Sequence, residues 1–190
     1  MGVDASRLAH RESVFALSNG HLNWRGNLDE GDPHGVPGTY LNGVFEEHPM
    51  PYAEDGYGYP DSGQSAINVP NGQIIRLAVD DEPFDVRQGR LVRHDQRLDF
   101  RSGTLQRDVE WVSPAGRPVR VSSTRIVSLT HRSIAAVSYT VEAVDGPLTV
   151  LVQSEVLAGL RVLAGEHSRV PPQRGYRVRG APLRAGDRRP

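Results

Sequence analysis

Between residues 84 and 156 the chain falls into five strand-length segments cut by turn signals, and this rhythm limits its architecture more than any other feature. The segments are Gly89–Asp99, Thr104–Val112, Pro118–Ser128, Ser133–Ala143 and Leu148–Glu155. Arg101-Ser102-Gly103, Ser113-Pro114-Ala115-Gly116, Thr130-His131-Arg132 and Asp145-Gly146-Pro147 punctuate them. Strands at this spacing with short polar connections predict an antiparallel meander in a sandwich or barrel. Ile134, Ala136, Val137, Tyr139 and Val141 are apolar on both faces of their segment, which predicts a central strand covered on both sides. No segment combines a sustained helical period with caps, so an all-β chain is expected.

Upstream the punctuation is coarser. Arg11 to Leu17 reads as a short strand, Asn19-Gly20 as a tight hairpin turn and Leu22 to Arg25 as the returning strand. Gly26 to Gly38 is rich in Gly and Pro and reads as loop. Gly38 to Phe45 reads as a strand bent or bulged at Asn42-Gly43. Glu46 to Gly63 is a second long loop, carrying Tyr52, Tyr57 and Tyr59. A loop of this length in a compact domain is usually functional or packs on a neighbour. Gln64 to Asn68 is a short strand, Pro70-Asn71-Gly72 a turn, Ile74 to Val79 a strand, and Asp80 to Pro83 a turn.

The totals exclude several classes of function. At 190 residues there is room for one well-buried core and a tail. Cysteine is absent, so thiol nucleophiles, disulfides and zinc thiolates are ruled out. No apolar run has bilayer-spanning length, and the start MGVDASRLAHRES has no apolar signal core, so a cytoplasmic protein without membrane contact is expected. Every one of the 22 basic residues is Arg. Residues 1–160 hold 14 Arg against 21 acids, a net of −7, whereas residues 161–190 hold 8 Arg against 2 acids, a net of +6. An acidic body argues against nucleic acid as a partner, because such binders need a basic face. The tail after Leu160 offers little to bury and is expected to be poorly ordered.

Chemistry is sparse. The seven histidines form no close pair or helical i, i+4 set, so no metal site is assigned and no cofactor is expected. Glu46-Glu47 and Glu54-Asp55 place carboxylates on one loop, but glycoside cleavage needs two carboxyl groups at a set separation, which sequence neighbours do not establish. Trp24 and Trp111 could stack on a sugar ring, yet both sit in strand-like surroundings that favour packing.

Several motifs gain meaning from their order. They are Glu12-Ser13-Val14-Phe15-Ala16-Leu17-Ser18-Asn19-Gly20, Trp24-Arg25-Gly26-Asn27, Gly38-Thr39-Tyr40-Leu41-Asn42-Gly43-Val44-Phe45-Glu46 and Asn68-Val69-Pro70. Further along come the run from Arg97 to Arg107 and then Arg125-Ile126-Val127-Ser128-Leu129. In this order, from about residue 11 to about residue 156, the chain resembles the N-terminal domain of glycoside hydrolase family 65.

The resemblance implies an antiparallel β super-sandwich over 11–156, with residues 1–10 as a lead and 157–190 as the tail. In that family the sandwich precedes an (α/α)6 barrel, and members phosphorolyse or hydrolyse α-glucosides such as maltose, trehalose and kojibiose. Their general acid is a glutamate of the barrel. Nothing in this chain matches the barrel, so no catalytic residue is assigned and the chain by itself is expected to be inactive. The implied partners are an α-glucoside bound by the full-length enzyme, and the barrel or a second subunit. Trp24, Tyr40, Asn42, Glu46, Tyr52 and Tyr57 are the candidates for facing the substrate mouth or a partner. Two other readings stay open: a free-standing carbohydrate-binding sandwich that stacks sugars on Trp24, Tyr40, Tyr52 or Tyr57, and a structural interaction module.

Overall fold

The structure is a computed structural model that describes residues 5–31, 38–52, 54, 56–157, 176–179 and 183–184. It opens on a helix, α1 (Ala5–Val14), where sequence reading gave a lead and then a strand from Arg11. The correction has a local cause. Ala, Arg, Leu and Glu favour a helix, and Leu8 and Glu12, four apart, lie on one buried face.

Next come β1 (Leu17–Ser18), β2 (Leu22–Trp24) and β3 (Thr39–Leu41), which pair in that order as a small antiparallel sheet. Gly20, at φ +81°, makes the hairpin turn between β1 and β2. Asn42-Gly43 is a turn that ends β3, not a bend within a longer strand; Gly43 takes φ +91°. Beyond it, β4 (Phe45–Pro49) and β5 (Ser62–Ala66) pair, among the described residues, with each other alone. The long loop expected over 46–63 therefore shortens to 50–61, held on a two-stranded arm.

Asn71 opens β6 (Asn71–Val79) rather than sitting in a turn, and it is fully buried. Asp80 and Asp81 both take positive φ, as a two-residue hairpin requires, and lead into β7 (Glu82–Pro83). Then follow β8 (Arg90–Asp99), β9 (Thr104–Val112), β10 (Pro118–Val127), β11 (Ala135–Ala143) and β12 (Thr149–Leu157). The first four of these form the expected meander, β11-β10-β9-β8. The chain then crosses, and β12 pairs with β6 in a second sheet with β7. In the tail, β13 (Tyr176–Arg179) and β14 (Leu183–Arg184) run antiparallel along β12. The rest of the tail lies outside the described residues.

Among the described residues β11 is an edge strand, not the central strand that its apolar pattern predicted. Its outward residues Ala136, Ser138, Thr140 and Glu142 are exposed. Ala136 is small enough to sit on a wet face at little cost, and that is what misled the reading.

One face of the meander carries the core in two pieces. Leu91, Val109, Trp111, Val119 and Val121 pack with Leu77 and Val79 of β6 and with Phe84, Val86, Leu148, Leu8 and Leu28. Leu105 and Val127 pack instead with Leu17, Leu22 and Trp24 of the small sheet. The meander is thus covered half by one sheet and half by another, and the fold is an all-β antiparallel sandwich.

Candidate functional site

A band of buried polar groups crosses the meander face between the two apolar pieces. Along β9 the inward residues run Leu105, Arg107, Val109, Trp111; along β10 they run Val127, Arg125, Ser123, Val121. Register sets Arg107 opposite Ser123 and Leu105 opposite Arg125. Two guanidinium groups therefore face inward side by side, buried under the loop that follows β2. That loop, residues 26–31 of the stretch read as loop over 26–38, is buried throughout.

Its entry is tight. Gly26 N–H donates to Glu12 O at 2.8 Å, and a Cβ on Gly26 would stand 2.6 Å from Phe15 Cβ. Only glycine lets the chain turn inward there. The loop then delivers Asp29 and Glu30 to the two arginines. Arg107 Nη1 and Nη2 grip Glu30 at 2.5 and 2.8 Å, and Nη1 also reaches Asp29 Oδ2 at 3.0 Å. Arg125 holds Asp29 Oδ1 through Nε at 2.9 Å and through Nη2. Ser123 Oγ donates to Asp29 Oδ2 at 2.9 Å. Such bidentate, charge-assisted bonds are the form in which buried charges are tolerated.

Burial pushes the Asp29 carboxyl up, but Arg125 and Arg107 outweigh it and hold the group below the usual aspartate value. Arg107, for its part, is pulled down by burial and raised further by Glu30 and Asp29, so it stays charged. Arg107 Nε also donates to His94 Nε2 at 3.0 Å. Burial, then the Arg107 charge, drops the His94 pKa to about 3, so the ring is neutral and accepts through Nε2.

The band continues to the other sheets. Arg125 Nη1 donates to Gln73 Oε1 of β6 at 3.0 Å, and Gln73 Nε2 reaches Thr39 Oγ1 of β3 at 3.3 Å. Asp29 O accepts from Ile75 N at 2.8 Å. One carboxylate and two arginines thus connect the meander, the crossing sheet and the small sheet. The gap beside them, lined by Asn27, Gln96 and Leu105 as well as the charged groups, is too narrow to admit a water molecule. The band positions the sheets and has no room to hold a sugar.

The sequence candidates lie elsewhere. Trp24 is buried among Leu17, Leu22, Leu105 and Val127, so its ring packs the core and is closed to a sugar. Tyr40 is half-buried, and its hydroxyl accepts from Asn68 Nδ2 at 3.4 Å. Asn42 is exposed in the turn after β3, its N–H on His21 O at 2.8 Å. Glu46, Tyr52 and Tyr57 all lie on the arm. Tyr52 is 43% exposed, Tyr59 56%, Phe45 46% and Tyr57 fully so. Tyr52 and Tyr59 stack with ring centroids 4.7 Å apart, tilted by 42°. Glu46 and Glu47 are strand neighbours and point to opposite faces of the arm, so they make no paired acid and base.

Sequence reading missed the band, although its signal was present. Arg107 and Arg125 interrupt apolar alternation at inward positions of adjacent strands, and Asp29-Glu30 are two successive acids in the loop that follows β2.

No helix among the described residues is long and apolar enough to cross a membrane. The sequence profile of the glycosyl hydrolase family 65 N-terminal domain matches residues 1–175. An uncharacterized glycosyl hydrolase of Mycobacterium tuberculosis is 60% identical over 155 residues, which is 82% of this chain and 20% of that protein. The α,α-trehalose phosphorylase of Thermoanaerobacter brockii is 40% identical over 138 residues, 70% of this chain and 18% of that protein. Among solved structures, a putative kojibiose phosphorylase from the human microbiome superposes with a TM-score of 0.72 at 23% identity, over 82% of this chain and 21% of that one. The chain thus spans about a fifth of the length of the relatives it matches. With the profile spanning both apolar pieces and the polar band between them, this sandwich belongs to glycosyl hydrolase family 65, as its N-terminal domain.

Proposed function

We propose that the chain is the non-catalytic N-terminal domain of an enzyme that phosphorolyses or hydrolyses α-glucosides, and that it presents the arm to a catalytic domain or a second subunit. One observation carries the reading. Four aromatic side chains, Phe45, Tyr52, Tyr57 and Tyr59, are exposed on an arm whose two strands pair, among the described residues, only with each other. A two-stranded ribbon is marginal in water and gains its stability from what it packs against. The relatives named as phosphorylases supply the reaction class. Within this reading residues 11–156 are the working domain, and the cytoplasm, tested by cell fractionation, is its location.

The test is assay and titration together. The purified chain, given trehalose, maltose or kojibiose with phosphate, yields no glucose 1-phosphate or glucose, because general-acid catalysis is the missing step. Calorimetric titration with the same sugars shows no binding. Turnover abolished by changing a glutamate of this chain would sink the non-catalytic reading. Sugar binding lost in Tyr57→Ala would favour a free-standing carbohydrate-binding domain, with the Tyr52–Tyr59 pair as its platform. Hydrogen exchange on a dilute monomer should find residues 45–66 weakly protected; strong protection there would show that the arm needs no partner.

A further inference from the structure

We propose that the free edge of β11 pairs with β11 of a second copy of this chain, joining two meanders into one continuous antiparallel sheet. Among the described residues nothing pairs with that edge. Exposed edges are normally blunted by charge, proline, bulges or shortness. The opposite edge of the meander, β8, is blunted: it carries Arg93, Asp95 and Arg97, and its register shifts between Leu91 and Arg93. β7, at the edge of the crossing sheet, has two residues. β11 has nine, in step with β10 throughout, with Glu142 as its one charge and no proline.

The backbone shows which groups are free. Ile134 O accepts from Ser128 N at 3.0 Å, and Val144 N donates to Pro118 O at 3.3 Å, so the even-numbered residues serve the β10 side. Antiparallel strands alternate, which leaves N–H and C=O of Ala135, Val137, Tyr139, Val141 and Ala143 aimed outward.

The second copy is the occupant because the strand is complementary to itself. Read forward it is Ala-Ala-Val-Ser-Tyr-Thr-Val-Glu-Ala, and about Tyr139 it reads nearly the same in reverse. A two-fold axis through Tyr139 sets Val137 opposite Val141, Ser138 opposite Thr140 and Ala135 opposite Ala143 of the other copy. Glu142 then meets Ala136, so the one charge of each strand faces no like charge. All the outward-aimed backbone groups fall in register in this pairing, for about ten hydrogen bonds. The half-buried inward side chains Val137, Tyr139 and Val141 extend the core across the seam.

Sedimentation of the full chain from about 1 to about 200 µM tests this, since self-association depends on concentration. The expected result is a molar mass that doubles as concentration rises. Ser138 and Thr140 are exposed, so Ser138→Glu/Thr140→Glu and Ser138→Lys/Thr140→Lys leave the fold intact, as circular dichroism will verify. Each double variant alone should stay monomeric, because like charges then face each other, and an equimolar mixture should recover the doubled mass. A monomeric wild type would assign the edge to another strand, from a longer protein or a different partner, and overturns the proposal. So does a dimer that persists in both charged variants, or a mixture that remains monomeric.

Discussion

Replacing Asp29 by Ala should unfasten the two halves of the core from each other. The four charges Asp29, Glu30, Arg107 and Arg125 sum to zero and are all buried. Removing Asp29 leaves Arg125 with Gln73 as its one remaining side-chain acceptor among the described residues. A buried charge orphaned in this way costs about 3–5 kcal/mol, a large part of the roughly 5–15 kcal/mol that holds a domain folded. With an m-value of about 2 kcal/mol per M, a loss of about 3 kcal/mol lowers the urea midpoint by about 1.5 M. The two tryptophans make the effect local: Trp111 belongs to one apolar piece and Trp24 to the other. In Trp24→Phe and Trp111→Phe backgrounds, fluorescence reports each piece separately. The midpoints should coincide with Asp29 present and separate without it. Asp29→Ala/Arg125→Leu leaves the neutral Arg107–Glu30 pair and should recover more than half of the loss. A cost under about 1 kcal/mol, or an additive double variant, would refute the claim that the band joins the two pieces.

Three further effects follow from named contacts. His94 is neutral in the fold with a pKa of about 3 and takes up a proton near 6.5 when unfolded, so the unfolded chain binds more protons between those values and stability falls as pH drops through that window. From pH 7 to pH 4.5 this removes about 2.5 kcal/mol, and His94→Gln should flatten that part of the urea-midpoint profile. Gly26→Ala should lower the melting temperature by more than any exposed Gly→Ala change, since its Cβ would meet Phe15 Cβ at 2.6 Å and Phe15 O at 2.8 Å. Asn19→Ala removes donors to Ser128 O and Arg132 O and an acceptor for two backbone N–H groups, and should cost about 1–3 kcal/mol in urea unfolding.

The meander was legible because period-2 alternation and turn residues are local signals. β9 and β10 begin and end within a residue of their expected bounds. What stayed hidden was decided by tertiary contact. α1 is too short to show a sustained period, and its buried face includes Glu12, a residue that reads as solvent-facing. The loop 26–31 has the composition of a surface turn, and it is drawn inside by two arginines 77 and 96 residues along the chain from the acids they hold. Asn71 was read as a turn residue because it stands between Pro70 and Gly72, yet its Oδ1 accepts from Gln73 N and from Thr39 Oγ1 inside the core. The arm was legible as an anomaly of length and aromatic content; β4, polar and mostly exposed, fell within the expected loop, and β5 was read only in part, as Gln64 to Asn68.

The band and the arm are linked through one short path. Buried ion pairs seldom add stability over an apolar replacement, and in some proteins they instead fix one arrangement among several. Here the arrangement fixed is that of β3. Arg125 orients Gln73, and Gln73 holds Thr39, the first residue of β3, from which the chain turns at Asn42-Gly43 straight into the arm. An apolar band of the same volume could hold the layers together, but it would remove the Gln73–Thr39 bond that helps tie β3 to β6. The charges therefore set the place and direction from which the exposed tyrosines leave the sandwich. A domain whose proposed role is to present a surface to a partner needs that placement more than it needs a few added kcal/mol.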